Sequence, residues 1–388
     1  MSLMIGIVGK TNVGKSTFFK AATLVDVEIS DRAFTTIKPN VGVGYVRATC
    51  PCKELEVTCE PKNSRCVNGT RLIPVRLTDV AGLVPGAHTG RGLGNQFLSD
   101  IMEADCLIQV VDASGGTDAE GNPVPAGTRE PAEDVRMLED ELDWFIFGIL
   151  QKNWGGLCRT AEATKQKLED VIFKQVSGLK MSKEEVIATI NATGLTTKSD
   201  EKQLFSFVRE LRKLSKPMVI AANKADKPEG AEGAKKLEGA VPCSAQVELG
   251  LRLADQHGFI RYVPGEKTFE VVKQLNDHQK QFLEGARQVM EKLGGTGVQQ
   301  SLEAAASKLK LVAVYPVENE NRYASGKGNV LPDAFLVPAG TTPKELAGKI
   351  HTEFADRFLH AVDARTKRSV GADYGLKDGD VIKIALKK

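Results

Sequence analysis

An α/β fold built on a mostly parallel open sheet, interrupted by a helical arm and closed by a small α+β module, is predicted by three observations. The apolar run Leu3 to Val8 leads directly into a glycine-bearing turn, Gly9 to Ser16, and then into a segment that can continue as a helix through Thr23. Two later apolar runs, Ile73 to Leu77 and Pro217 to Ala222, lead to polar residues, Asp79 and Asn223, as buried strands do where open α/β sheets present ligand-binding groups. Beyond about Ser307 the pattern changes to short strands around one helix.

The first turn reads Gly9-Lys10-Thr11-Asn12-Val13-Gly14-Lys15-Ser16, the spacing of a phosphate-binding loop. Its backbone N–H groups converge on phosphate oxygens, and Gly9 and Gly14 place no Cβ in the way. Lys15 supplies a point charge to the terminal phosphates, and the Ser16 hydroxyl takes one coordination position on Mg2+. Asn12, Val13 and Thr17 belong to the same phosphate-binding segment.

Between Ser16 and Asp79 the chain is longer than a minimal core needs, and the surplus coincides with a cysteine-bearing stretch, read as an added loop. Cys50, Cys52, Cys59 and Cys66 are spaced C-x-C-x6-C-x6-C. Zinc, disulfides and free thiols are all compatible with that spacing, and metal analysis separates the first from the others. Cys106, Cys158 and Cys243 are scattered and read as structural.

Asp79 lies at a strand end, where its carboxylate reaches Mg2+ through water. Gly82, three residues on, leaves a backbone N–H free to approach a γ-phosphate. From Gly82 to Asn223 the spacing is helical: Leu138, Leu142, Phe145 and Ile149, then Leu168, Val171, Ile172 and Val176, then Leu204, Phe207, Val208 and Leu211. These stripes predict a helical arm between core strands, packed in the ordinary way. Gly115 to Pro131, rich in Gly, Pro and Thr, reads as a mobile loop leading into it.

Asn223-Lys224-Ala225-Asp226 follows the next buried strand. One carboxylate at Asp226 accepts from both the ring N–H and the exocyclic amine of guanine, whereas adenine offers no matching pair of donors. Ser244-Ala245 supplies backbone and small side chains beside the guanine O6 edge. Four segments in this order describe a pocket for GTP and GDP.

A mostly helical stretch then runs to about Ser307, followed by strands Leu311 to Tyr315 and Phe335 to Val337. Thr342-Pro343-Lys344-Glu345 is a capping box with proline at the first helical position, and Leu346, Ile350 and Phe354 continue that helix's apolar face. Asp378-Gly379 turns the chain into a last strand, Val381 to Leu386. The expected organisation is therefore residues 1–130 and 216–306 as two parts of one core, 131–215 as the helical insertion, and 307–388 as the terminal module.

The chain has 388 residues and a formal net charge of +2, so no global polyelectrolyte signal points to nucleic acid. A mild basic excess from Lys308 onward, partly in Arg365, Lys367 and Arg368, permits RNA contact and is equally a solvated basic face. Without a leader or a bilayer-length apolar window, the expected setting is the cytoplasm, without membrane contact, and the expected state a monomer.

The phosphate loop GKTNVGKS, the segment FTTIKPN from Phe34 to Asn40, and DVAGLVPGAHTGRGLGNQFL from Asp79 to Leu98 resemble the Obg-related YchF family of translation-factor GTPases, with the cysteine loop closest to its archaeal branch. The tail, with Gly340-Thr341-Thr342-Pro343 and Gly379-Asp380-Val381-Ile382, is similar to a TGS domain, a β-grasp module. The resemblance implies a P-loop GTPase core, slow hydrolysis, a regulatory cycle and association with the ribosome or RNA through the TGS domain. It also implies that Thr36, with Thr35 as the fallback, ligates Mg2+ when the γ-phosphate is present. Many relatives carry Glu where Asp226 stands and favour ATP; the shorter acid here predicts GTP preference. An ATP-hydrolysing protein, or a ribosome-binding module in which nucleotide is mainly structural, are the alternatives.

Leu83 occupies the position of the glutamine that orients the attacking water in small GTPases, and leucine has neither donor nor acceptor for it. By similarity, His88 swings towards the γ-phosphate; an exposed loop imidazole is the other reading. Asn12 matches an asparagine that helps hold K+ in potassium-activated relatives, against a purely loop-stabilising role.

Overall fold

The computed structural model describes every residue except 1–2, 26–39, 81, 83–84, 90–93 and 388, and only the backbone of 94–97. In chain order the first elements are β1 (Met4–Val8), α1 (Lys15–Thr23), β2 (Asn40–Thr49), β3 (Arg65–Val67), β4 (Thr70–Asp79), α2 (Gly94–Met102) and β5 (Cys106–Asp112). Five helices follow: α3 (Pro131–Gln151), α4 (Trp154–Thr164), α5 (Leu168–Val176), α6 (Lys183–Thr193) and α7 (Glu201–Ser215). The chain returns through β6 (Met218–Asn223), α8 (Pro228–Lys235), β7 (Val241–Pro242), α9 (Ala245–Gln256), the hairpin β8 (Ile260–Arg261) and β9 (Glu270–Val271), then α10 (Asp277–Leu293) and α11 (Val298–Lys308). It ends with β10 (Leu311–Val317), β11 (Phe335–Pro338), α12 (Pro343–Ile350), α13 (Thr352–Asp356), β12 (Phe358–Asp363), β13 (Ser369–Val370) and β14 (Val381–Leu386).

Two compact units result, one of residues 3–42 and 76–301, the other of 43–75 with 302–388. In the first, β1 pairs in parallel with both β4 and β5, β5 with β6, and β6 with β7. Strand β5 is buried at all seven positions, as a parallel strand covered on both faces must be. The inserted helices close over one continuous cluster in which Leu138, Leu142, Ile172 and Phe207 join Val8, Leu98 and Leu107 of the core elements. The arm is thus packed onto the core, as its stripes predict. Its ends are set by local chemistry: capping boxes at Ser182 with Glu185 and at Asp200 with Gln203, and proline at the start of α3.

The second unit holds a five-stranded mixed sheet in the order β11-β10-β14-β12-β13, with Leu346 of α12 buried among Val314, Val337, Ala361 and Ile382. This is the β-grasp arrangement. The capping box forms as expected, Thr342 accepting from the Glu345 N–H. The helix does not continue to Phe354, however. His351 is extended at φ −153°, and α13 folds back so that a Cβ on Gly348 would lie 3.2 Å from that of Ala355.

Candidate functional site

Parallel pairing of β1 with β4 sets Ile7 beside Asp79, so the phosphate loop and the Asp79 carboxylate leave adjacent strands at the same end. Lys15 Nζ lies 2.6 Å from Asp79 Oδ1, both side chains nearly buried, and Ser16 Oγ lies 3.5 Å from Asp79 Oδ2. A hydroxyl and a carboxylate are hard-oxygen donors of the kind Mg2+ takes, and an ammonium beside them is a charge of the kind phosphate takes. Ser16 and Thr17 are half-buried in the first turn of α1. Gly9 passes so close to β5 that a Cβ would lie 2.5 Å from Val110 O. At Gly82 a Cβ would lie 2.9 Å from Thr11 Oγ1, which brings this turn to the phosphate loop. Its neighbours Ala81 and Leu83, and Thr35 and Thr36, lie outside the described residues.

Asn223 joins three of the four segments. Its Nδ2 donates to Val13 O at 2.8 Å, and its Oδ1 accepts from the Ala245 N–H at 3.0 Å. Gly14, at φ 92°, makes room for this: a Cβ there would sit 2.3 Å from Asn223 Nδ2. Ser244 is buried, caps α9 through its hydroxyl, and donates its N–H to Thr296 O at 2.8 Å. Asp226 is half-buried just before α8, and the adjacent Ala225 N–H donates to Cys243 O at 3.0 Å.

Lys224 Nζ meets Asp112 Oδ2 at 2.7 Å, and Asp112 also accepts from Ser114 and Thr117. Burial alone would push the Asp112 carboxyl up, but Lys224 and Ser114 outweigh it and hold the group below the usual range. Asp112 ends β5 as Asp79 ends β4, and that repeated strand-end acid was the available sequence signal for it. Lys10 forms a buried ion pair with Asp134 at 2.6 Å and donates to the carbonyls of Thr117 and Asp118; Asn12 Nδ2 donates to Gly121 O at 3.0 Å. The loop from Gly115, expected to be mobile, is therefore tied to the phosphate loop by side-chain donors more than a hundred residues away. No local pattern announces such pairings.

His88 is held against α3. Its Nδ1 lies 2.7 Å from Glu141 Oε2, its N–H donates to the same oxygen, and its ring stacks on Trp144 with centroids 6.0 Å apart. The Gly86 N–H donates to the other carboxylate oxygen, so Glu141 clamps the whole turn. The sulfurs of Cys50, Cys52, Cys59 and Cys66 all lie within 4.8 Å of one another, in the second unit, and none is bonded to another.

Residues 4–141 match the family described as 50S ribosome-binding GTPase, 221–319 the Obg-like GTPase YGR210-like, G4 motif-containing domain, and 327–386 the TGS domain. The chain is 46% identical to an uncharacterized GTP-binding protein of Methanocaldococcus jannaschii over 98% of each. It is 29% identical, again over 98% of each, to a Bacillus subtilis protein named ribosome-binding ATPase YchF. Among solved structures, a GTP binding protein from Pyrococcus horikoshii matches with a TM-score of 0.79 at 39% identity, covering 99% of this chain and 100% of that one. No helix among the described residues is long and apolar enough to cross a membrane.

Proposed function

From the premise that the chain belongs to the Obg-related YchF family of P-loop GTPases, we propose that it binds GTP and GDP with Mg2+, hydrolyses GTP slowly, and acts in the cytoplasm as a nucleotide-dependent switch on the ribosome. The observation that carries this reading is the junction at Asn223, where one amide fixes the phosphate loop through Val13 and the base-side loop through Ala245. A pocket for phosphate and one for a purine are thereby held in one register. Gly9, Val13, Gly14, Lys15, Ser16 and Thr17 hold the phosphates; Ser16, Thr36 and Asp79 serve Mg2+; Asn223, Lys224, Asp226, Ser244 and Ala245 frame the base. When bound, Mg2+ neutralises charge on the β- and γ-phosphates.

For hydrolysis, His88 is the group assigned to the γ-phosphate side, and it must leave Glu141 to act there. Because Asn12 donates through Nδ2 to Gly121 O, its Oδ1 is the amide atom left to face a K+ ion. Zn2+ at the four clustered cysteines completes the cofactor assignment, with the TGS module as the ribosome- or RNA-facing part and a monomer as the working unit.

At matched Mg2+, GTP is expected to bind at least about tenfold tighter than ATP, and Asp226→Asn to erase the preference, because an amide cannot accept from both guanine donors. Equal affinities in the native chain would defeat the guanine reading in favour of an ATP-hydrolysing one. Pelleting with ribosomes is expected to differ between GDP and a GTP analogue; identical pelleting removes the switch.

A further inference from the structure

We propose that Cys50, Cys52, Cys59 and Cys66 form a tetrathiolate site for one zinc-class divalent ion, that the buried guanidinium of Arg71 is its counter-charge, and that this centre seats the C-terminal module. The site takes up the zinc reading above and is independent of what the phosphate loop binds.

The four sulfurs are gathered closely enough to share one ion. Cys50 and Cys59, and likewise Cys52 and Cys66, are 4.0 Å apart between Sγ atoms, and all four fit within 4.8 Å. Zinc–sulfur bonds of about 2.3 Å require tetrahedron edges of about 3.8 Å, so the 4.0 Å pairs need only a slight contraction and the wider ones up to about 1 Å. Between the outer cysteines the loop offers Leu55 and Val57 but little else apolar, too little for a core of its own. Metal binding energy supplies what such a loop lacks.

Arg71 is the independent observation. It stands directly across from Cys66 in the β3–β4 ladder and is fully buried. Its Nη2 donates to Leu331 O, while Nε and Nη1 have no hydrogen-bond partner among the described residues. A guanidinium cannot shed its proton, and a buried charge without an anion is strongly destabilising. Four thiolates around a divalent ion carry a net double negative charge, an anion that would face the two guanidinium nitrogens left without a hydrogen bond. Burial pushes the Asp333 carboxyl up and Arg71 lies near enough to pull it down against that burial, but Asp333 makes no hydrogen bond to Nε or Nη1.

The same loop is the surface on which the module rests. Glu60 N–H donates to Val330 O at 2.8 Å and Lys62 N–H to Pro332 O at 2.7 Å. The Asn63 amide exchanges two hydrogen bonds with the Ala334 backbone, both at 3.0 Å, and Arg365 grips Glu54 at 2.7 and 3.0 Å. These loop residues all lie between the cysteines. Tyr315 of β10 donates to Thr49 O at 2.8 Å, with the Arg71 guanidinium 5.6 Å from its ring centre. Fixing the four sulfurs therefore fixes the donors and acceptors that hold β10 and the segment after it.

The test uses the full chain purified without chelator. One zinc per chain is expected, and Co2+ exchanged into it should show the visible absorption of tetrahedral cobalt thiolate; a chain without stoichiometric metal overturns the whole inference. Arg71→Met is expected to weaken Zn2+ binding by about 10–100-fold, with partial recovery in Arg71→Lys; unchanged affinity sinks the counter-charge. Reversible chelation of the native chain, with GDP binding monitored to confirm that the phosphate-loop unit stays folded, avoids reliance on variants that fail to fold. Hydrogen exchange should then accelerate across residues 311–338 and recover on adding Zn2+. Metal bound but exchange unchanged refutes the seat while leaving the zinc site, and neither result touches the nucleotide reading.

Discussion

Lys216 is fully buried, and its ammonium donates to the carbonyls of Met102 and Ala104 at 2.5 and 3.0 Å. Burial pulls its pKa down from 10.5 to about 8, because the low-dielectric site penalises the charged form more than the Asp105 and Glu185 carboxylates favour it, with Lys180 adding to the fall. Below pH 8 both folded and unfolded chains hold the proton, and the native state bears the full cost, roughly 3 kcal/mol. As pH rises from about 8 towards 10.5 the folded chain releases the proton while the unfolded chain keeps it, so this residue's contribution to stability improves with pH. Comparing urea midpoints of the native chain and Lys216→Met from about pH 7 to about pH 10 is expected to show the variant's advantage shrinking across that window. A constant difference would mean that Lys216 stays protonated in the fold. Arg71 is the opposite residue: it has no accessible neutral form, so its burial is relieved by contacts to the charged guanidinium and not by loss of the proton.

At the scale of elements, α3 does more than close the core, because one face carries both Glu141 and Trp144, which hold the His88 turn. If His88 acts on the γ-phosphate side, this clamp competes with catalysis. Glu141→Gln removes the anion and is expected to raise single-turnover GTP hydrolysis by about tenfold without altering GTP affinity, and to do nothing in a His88→Ala background. A rate left unchanged or lowered would identify Glu141 as holding only the turn in place. What the sequence discloses follows the same division. The phosphate loop, the Asp79 strand end and the Thr342 cap are legible because each is a local solution to a local demand, an anion cradle or an orphan helix N–H. Lys10 with Asp134, Lys224 with Asp112 and His88 with Glu141 are not legible, because their partners lie far along the chain and only the folded sheet brings them together. The break at His351 was likewise hidden, since apolar spacing through Phe354 fits one helix as well as two.

At the scale of the whole molecule, strands β2 and β4 each run through both units, and their sequence ends carry different chemistry. Phe34 to Asn40 leads into β2 and Cys50 follows it; Arg71 stands near the start of β4 and Asp79 ends it. The two strands thus connect, along the chain, the segments assigned to nucleotide and those assigned to metal. Ligand binding stabilises only what it requires to be folded: GDP with Mg2+ at a hundred times its dissociation constant adds about 2.7 kcal/mol, or about a hundredfold slower exchange for amides that open only when their unit unfolds. Slowing is therefore expected in residues 4–24 and 218–256, which carry the phosphate loop and base-side loops, while the module strands from 311 to 386 keep their rate. Zn2+ is expected to give the complementary pattern. Equal slowing of both regions by GDP would mean that the two units open as a single cooperative body, and that the shared strands transmit binding rather than merely joining two independently stable parts.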